Sequence, residues 1–215
     1  MFYELNSAAE EQEQTTATEI QIPILNDDVI SIFLYSPSRL PYIATYIYPF
    51  WKKDFLQQPP PAAATATAAE YNPYASWSPQ DIVRHNMGCK DNTLCVQVLV
   101  CSIPVGFCTV LLLDQFDYTD KMSPFSHEIY RDSAVLYNFV IDTPFRQQGY
   151  ASQMLQNVIA HLQSHYTKQY QYLVLYVDKT NTRAQHLYKQ AGFEHVGDNP
   201  NQPTTQDMYR KSLFV

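Results

Sequence analysis

The chain has 215 residues, of which 46% are hydrophobic and 14% aromatic, enough to bury the core of a single domain. Its formal net charge of −7 gives no basic field to attract phosphate backbones or anionic lipid, so neither nucleic acid nor a membrane is expected as a partner. No stretch has the length of a membrane-spanning helix, and the start of the chain lacks the features of a signal peptide, so we expect a cytoplasmic protein. We expect it to be a monomer or a homodimer.

Two segments of low sequence complexity lie in the first third of the chain. Residues 1–19 are acidic and rich in Gln and Thr without periodicity, which predicts a flexible N-terminal extension. Residues 57–70, QQPPPAAATATAAE, can bury little apolar surface and predict a surface insert. A single folded domain should therefore span residues 20–215 and carry this insert.

The region between these segments is predicted to hold one strand and two helices. Ile20 to Leu25 alternates like a strand, and Asn26 and Asp27 then offer N-cap oxygens to a helical pattern that reaches about Leu56. A short helix after Ser78 follows the insert. Three prolines should divide the longer helical pattern into two helices: Pro37, Pro41 and Pro49.

A hairpin and a third strand follow in the apolar centre of the chain. LCVQVLVC and GFCTVLLLD predict the hairpin and AVLYNFVID the next strand, with an acidic loop from Gln115 to Asp132 between them. The cysteines of this region have neither CxxC nor zinc-finger spacing, which predicts buried reduced thiols and no metal site. These are Cys89, Cys95, Cys101 and Cys108.

The last third of the chain alternates helices with strands. YLVLYV, residues 172–177, predicts a strand buried on both faces, and a helix over about 182–190 ends where Gly192 suits a left-handed cap. Two further strands are expected in the last 20 residues. Before them, a helix after residue 151 places five apolar residues on one stripe: Met154, Leu155, Val158, Ile159 and Leu162.

The segment FRQQGYA, residues 145–151, lies where the third strand passes into that helix. Unpaired backbone N–H groups and the helix dipole make such a position an anion site. Gly149 removes the Cβ where a ligand must approach the backbone, and the small Ala151 keeps the next turn open. This pattern predicts a phosphate-binding loop. The chain has no GxGxxG and no Walker loop, which disfavours a nucleotide triphosphatase.

A second motif follows the loop after one helix and one strand. LVLYVDKTNTRAQHLYKQAGF, residues 173–193, resembles motif B of the GNAT superfamily of N-acetyltransferases, and VIDTPFRQQGYA resembles the acetyl-CoA loop of that superfamily. The resemblance implies an α/β fold whose mixed, largely antiparallel sheet is flanked by helices on both faces. It also implies acetyl-CoA as co-substrate, in a cleft between two splayed strands, and acetyl transfer to an amine of a small molecule or protein.

The resemblance further implies roles for individual residues and implies no metal. Tyr188 would act in catalysis near the thioester sulfur, on the same helical face as Asn181. Asn181 would hold the pantetheine region, and the loop N–H groups would wrap the pyrophosphate. The other residues expected to bind the cofactor are Phe139, Val140, Ile141, Arg146, Gln147, Gln148, Gly149, Tyr150, Ala151 and Ser152.

The general base is not assigned by the sequence. Many relatives carry a Glu in the strand before the loop, where AVLYNFVID has no acid before Asp142. Ribosomal-protein N-terminal acetylases carry one in the following strand, where this chain has Tyr176. The acidic loop offers His127, Glu128 and Asp132 as candidates. The alternative function is a non-catalytic acyl-CoA-binding module that has lost its base.

Overall fold

The structure is a computed structural model that describes five stretches of the chain. Predictions for the N-terminal extension, for the 57–70 insert and for most of the acidic loop lie outside these stretches, as does Cys89. In the short helix expected after Ser78, residues 79 and 80 are helical and the remainder lies outside. The described stretches are residues 19–24, 28–55, 78–80, 92–113 and 130–214.

Eight strands of the described stretches form one mixed sheet. They are β1 (Ile20–Pro23), β2 (Val29–Leu34), β3 (Thr93–Val100), β4 (Ile103–Leu112), β5 (Ser133–Ile141), β6 (Tyr172–Asp178), β7 (Glu194–Asp198) and β8 (Gln206–Ser212). Their order across the sheet is β1-β2-β3-β4-β5-β6-β8-β7. Only β5 and β6 pair in parallel, and every other neighbouring pair is antiparallel. The predicted mixed, largely antiparallel sheet is therefore confirmed.

Helices cover both faces of the sheet, as expected. Two of them are α2 (Tyr150–His165) and α3 (Thr182–Gln190), which lie close to their predicted positions. An N-terminal helical segment precedes them and ends in α1. It consists of a 3-10 turn (Pro37–Arg39), an α-helical turn (Leu40–Tyr42), a π-helical stretch (Ile43–Ile47) and α1 (Tyr48–Phe55). The predicted break at the prolines takes the form of this π-helical stretch.

The helical pattern begins later than the sequence analysis placed it. Residues 29–34, VISIFL, were assigned to a helix capped by Asn26 and Asp27, and that assignment is wrong because they form β2. The strand pairs with β1 on one side and β3 on the other, and its four central residues are buried. A strand covered on both faces reads as a continuous apolar run, so the alternation that marks a half-buried strand is lost.

The core forms two apolar layers, one on each face of the sheet. The five residues of the predicted α2 stripe are all buried in the larger layer, which also receives Tyr188 and Phe193. The N-terminal helical segment buries Ile43, Ile47 and Trp51 against the opposite face. The helix that follows the predicted cofactor loop and the helix with Tyr188 thus pack on the same side of the sheet.

The described cysteines are all free thiols. Cys95 and Cys108 are buried as predicted, and burial raises the pKa of Cys108 well above its usual value. Cys101 is exposed, so its predicted burial is wrong. It forms the β3–β4 turn with Ser102, and both have positive φ, at 49° and 65°. Such a two-residue hairpin turn projects beyond the buried strands.

Within the described ranges no helix is long and apolar enough to cross a membrane.

Gly106 in β4 lies against the C-terminal end of β5. A Cβ at this position would lie 2.5 Å from Ile141 Cδ1 and 3.1 Å from Val98 Cγ2. We expect Gly106→Ala to lower the free energy of unfolding by about 1–3 kcal/mol, measured by denaturant titration. Ile141→Val removes the clashing Cδ1, so the double variant should lose less than the sum of the two single variants. Strict additivity would contradict this explanation.

Candidate active site

A cleft opens between β5 and β6 because their pairing stops halfway along β5. Residues 133–136 of β5 pair with residues 172–175 of β6. Beyond Leu136 and Leu175 the two strands continue without further pairing to each other. Their facing backbone edges therefore stay available to an extended ligand, as in recognition by strand addition. This is the splayed cleft in which the sequence predicts acetyl-CoA.

A β-bulge at Asn138 determines which side chains of β5 point to each face of the sheet beside the cleft. The register with β4 shifts between Phe107 and Thr109, and Asn138 has a φ of 53°. Tyr137 belongs to an apolar cluster on one face of the sheet, whereas Phe139 packs with the α2 layer on the other. Residues two apart in a regular strand share a face. The bulge thus turns Phe139 toward α2 and α3.

The side chain of Asn138 is held by two neighbours. Trp51 Nε1 donates a hydrogen bond to Asn138 Oδ1 at 3.1 Å, and Asn138 Nδ2 donates to Thr109 Oγ1 at 3.0 Å. These bonds connect the N-terminal helical segment to the bulge across the sheet face. Asn tolerates a left-handed backbone better than most residues do, which explains its presence here. The sequence analysis did not identify this bulge.

Gly149 is the N-cap of α2 at the end of the cleft. Its φ of 88° lies in the left-handed region, which favours glycine. A Cβ here would lie 3.6 Å from Gln153 Nε2, an ordinary contact, so packing within the protein does not require a glycine at this position. The N–H groups of Tyr150, Ala151 and Ser152 begin the helix, where no intrahelical acceptor exists for them. These features fit an anion at this position.

The residues before Gly149 form a turn that is held by its own hydrogen bonds. Arg146 Nε donates to the Ile141 carbonyl at 2.8 Å, which ties the loop to the end of β5. Gln147 has a φ of 65°, and Gln148 Nε2 donates to the Pro144 carbonyl at 2.9 Å. The Arg146 guanidinium thus has a structural contact on its Nε side. Contact of these residues with the cofactor stays a prediction.

The three residues at the end of β5 that are predicted to bind the cofactor pack their side chains in the apolar core. Val140 and Ile141 are buried on opposite faces of the sheet, and Phe139 packs beside Tyr188. Their backbone groups on the β6 side lie beyond the last β5–β6 pair. This arrangement fits the predicted contribution of strand backbone rather than side chains.

Tyr188 lies under the cleft on the α2 side of the sheet. Its ring is 6% exposed and meets Phe139 and Phe193 edge-on, with centroids 6.0 and 5.8 Å away. Burial, with the Cys108 thiol nearby, raises the pKa of Tyr188 far above its usual value. Within the described part of the chain its hydroxyl makes no hydrogen bond to another residue. Tyr188 is thus a neutral phenol with a donor available to a ligand.

Asn181 is the N-cap of α3. Its Oδ1 accepts a hydrogen bond from Ala184 N at 3.1 Å, which satisfies one of the unpaired N–H groups of the first turn. The residue is exposed at the end of the loop that follows β6. The structure therefore gives Asn181 a capping role, while its contact with pantetheine stays a prediction.

One contact of the cofactor loop escaped the sequence analysis. The Tyr150 hydroxyl donates a hydrogen bond of 2.7 Å to Asp28 Oδ2, and Asp28 is 4% exposed just before β2. This bond, which raises the pKa of Tyr150, fixes the first turn of α2 to the connection between β1 and β2. The two residues are 122 positions apart, and no local pattern in the sequence indicates the pair.

Asp132, one of the three candidates for the general base, lies at the wrong end of β5. It immediately precedes the strand, whereas the loop follows its last residue. Its Oδ2 accepts a hydrogen bond from Gln171 Nε2 at 3.3 Å. His127 and Glu128 lie outside the described residues. In the part of the chain that the structure covers, no group of three His, Cys, Asp or Glu side chains is arranged to hold a metal ion.

The chain is similar to proteins of known family. Residues 51–193 match the Acetyltransferase (GNAT) family. Over 84 residues the chain is 33% identical to the [ribosomal protein bS18]-alanine N-acetyltransferase of Haemophilus ducreyi. That alignment covers 39% of this chain and 56% of the relative, so the match spans little more than half the relative's length.

Two solved structures share the fold at low sequence identity. The ribosomal-protein-S18-alanine N-acetyltransferase of Escherichia coli superposes with a TM-score of 0.52 and 16% identity, over 86% of this chain and 95% of that chain. A ribosomal L7/L12 α-N-protein acetyltransferase in complex with coenzyme A gives a TM-score of 0.54 and 16% identity, over 90% and 98%. The family match covers the cleft, the loop and both helices described above, and the chain therefore belongs to the GNAT family of acetyltransferases.

Proposed function

We propose that the protein transfers the acetyl group of acetyl-CoA to a primary amine of a small molecule or protein. One observation carries the proposal. The N-terminus of α2, capped by Gly149, stands at the end of the β5–β6 cleft, and the buried ring of Tyr188 lines the same cleft. An anion site, an open strand edge and a phenol donor are thereby combined along one path.

The co-substrate is proposed to bind along this path from the loop to the point where the strands part. The pyrophosphate oxygens would accept hydrogen bonds from the N–H groups of residues 147–152, with Arg146 at the opening of the loop. The pantetheine amides would pair with the free edge of Phe139, Val140 and Ile141 and lie near Asn181. The thioester would then lie close to Tyr188.

The reaction requires attack of the amine nitrogen on the thioester carbonyl carbon. A C–N bond forms, the C–S bond breaks, and coenzyme A leaves as a thiolate that takes up a proton. Because its raised pKa makes Tyr188 a weaker acid than a thiol, full proton transfer from the phenol is uphill. Tyr188 is therefore assigned a hydrogen bond to the departing sulfur, a stabilisation that grows as negative charge develops there.

The acceptor is proposed to be an amine. Two further inferences concern the first amine to test and the location and partners of the protein. The names of the relatives specify an alanine amine of a ribosomal protein, so a peptide that begins with alanine is a suitable first acceptor to test. From the acidic composition we infer that neither nucleic acid nor a membrane is a partner. A cytoplasmic monomer or homodimer is part of the same proposal.

The experiment that tests the function combines thiol release with mass spectrometry of the acceptor. Acetyl-CoA and the full chain would be incubated with a panel of amines: an alanine-initiated peptide, a lysine-containing peptide with a blocked N-terminus, and spermidine. We expect a gain of one acetyl group in at least one amine, matched by an equal amount of free thiol. Binding of acetyl-CoA without any acetylated amine would favour the non-catalytic acyl-CoA-binding module.

A further inference from the structure

Two tyrosines flank the point where the cleft opens. Tyr137 of β5 and Tyr176 of β6 are the first residues beyond the last β5–β6 pair, and their ring centroids lie 6.2 Å apart. Both pack with an apolar cluster on the sheet face opposite α2. Tyr188 approaches the cleft from the α2 face, beside Phe139. The cleft thus has a tyrosine pair on one face and the predicted partner of the sulfur on the other.

The hydroxyl of Tyr176 is oriented by a third tyrosine. Tyr176 donates its hydroxyl hydrogen to the oxygen of Tyr130, which is fully buried and also accepts a hydrogen bond from the Asn201 side chain. A phenol that donates its own hydrogen keeps oxygen lone pairs with which to accept one. Burial raises the pKa of both Tyr176 and Tyr137, so both remain neutral near pH 7.

We propose that Tyr176 receives the attacking amine by accepting a hydrogen bond from its N–H, and that the acceptor enters the cleft as a neutral amine. The inference rests on the proposed acetyl transfer and concerns the acceptor side of the same cleft. A neutral phenol can orient an N–H group, but it is too weak a base to take a proton from an ammonium ion. The surplus proton of the ammonium form is therefore released to water before the amine binds.

The transfer balances without a protein base when the amine arrives neutral. The nitrogen lone pair forms the C–N bond, the C–S bond breaks, and its electron pair leaves on sulfur. The nitrogen then carries one proton too many and the sulfur one too few, so the N–H proton passes to the thiolate, directly or through water. The products are a neutral amide and a neutral thiol, and no proton is gained or lost overall.

The other groups around Tyr176 are mostly apolar. From β8 it is opposed by Met208, and Val196 of β7 packs against the same cluster. The next charged side chains along this face are Asp178 on β6, Arg210 on β8 and Glu194 on β7, which is opposite Arg210. Asp178 Oδ1 accepts a hydrogen bond from Gln206 Nε2 at 3.3 Å, and Arg210 stacks over the Tyr172 ring. Asp178 is thus the nearest described carboxylate on this face of β6.

The test is the pH dependence of kcat/KM for two amines of different basicity. A free α-amine has a pKa of about 8 and a lysine amine of about 10.4. With an alanine-initiated peptide, kcat/KM should rise about tenfold per pH unit and level off near pH 8. With a blocked lysine peptide it should continue to rise toward pH 10. A plateau that begins at one common pH for both amines would instead indicate a base in the protein and overturn the inference.

A variant of Tyr176 separates the effect of losing the phenol oxygen from general effects on packing. Tyr176→Phe should lower kcat/KM about tenfold for both peptides and leave the acetyl-CoA-induced rise in Tm intact, which shows that the variant is folded. Tyr172→Phe, on the paired end of the same strand, is the matched control and should keep the parental kcat/KM. Parental activity in Tyr176→Phe would overturn the inference alone. Absence of turnover with every amine, despite acetyl-CoA binding, would overturn the proposed function and the inference with it.

Discussion

Gly149→Glu is expected to abolish the rise in Tm that acetyl-CoA causes in the parent protein. At a hundredfold excess over Kd, a ligand that binds only the folded state stabilises it by about 2.7 kcal/mol, which corresponds to roughly 5–10 °C for a chain of this size. The glutamate would put a carboxylate in front of the N–H groups at the start of α2, where the pyrophosphate is expected. Differential scanning fluorimetry with and without acetyl-CoA measures the effect.

The control must separate loss of the anion site from backbone strain. Gly192, just after α3, has a φ of 83° against 88° for Gly149, so Gly192→Glu introduces the same side chain at nearly the same φ. A Cβ there would lie 2.9 Å from Lys211 Nζ, the flexible end of a side chain. This variant should have a lower Tm than the parent but keep the rise with acetyl-CoA. A folded Gly149→Glu variant that still responded to acetyl-CoA would show that the loop does not bind pyrophosphate.

Tyr188→Phe should lower kcat by roughly 10²-fold or more while the Kd for acetyl-CoA changes little. The ring keeps its contacts with Phe139 and Phe193, and only the hydroxyl is lost. Because the hydroxyl is expected to contact sulfur as charge develops, its loss belongs to kcat rather than to binding. Steady-state thiol release with the best amine of the panel, together with calorimetric Kd values, measures both quantities.

Tyr170→Phe provides a matched control for this variant. Tyr170 is 7% exposed, close to the 6% of Tyr188, and its hydroxyl donates to the Leu113 carbonyl at 3.1 Å. Its loss should reduce stability by about 1 kcal/mol and leave kcat unchanged. If Tyr188→Phe also lost only stability, its ring would have a packing role and the sulfur would need another partner.

The elements that carry the motifs were predictable because their patterns are local. The stripe of α2 repeats with the period of a helix, whereas β6 and the strands of the β3–β4 hairpin are short apolar runs of strand length. Gly149 at a strand-to-helix junction is likewise a local signal, and its left-handed φ agrees with it. The splay of β5 from β6 was predicted only from the family resemblance.

Other features depend on contacts that no local pattern reports. The side chains of Asp28 and Tyr150 meet although they are 122 positions apart, and Trp51 reaches Asn138 from a helix 87 positions away. The bulge at Asn138 had one weak signal, an Asn in the middle of an apolar strand, where that residue type is depleted. The strand β2 was missed for a different reason. Burial on both faces removed its alternation, and two suitable N-cap residues before it favoured a helix.

The most direct test of the account is a calorimetric titration of acetyl-CoA into the full chain. The proposed binding mode has one acetyl-CoA along the loop and the β5–β6 cleft, with the N–H groups at the start of α2 donating hydrogen bonds to the pyrophosphate. It therefore predicts saturable heat with one binding site per chain, and no such heat for a folded Gly149→Glu variant. Absence of binding by the parent chain at millimolar acetyl-CoA, or unchanged binding by Gly149→Glu, would contradict it.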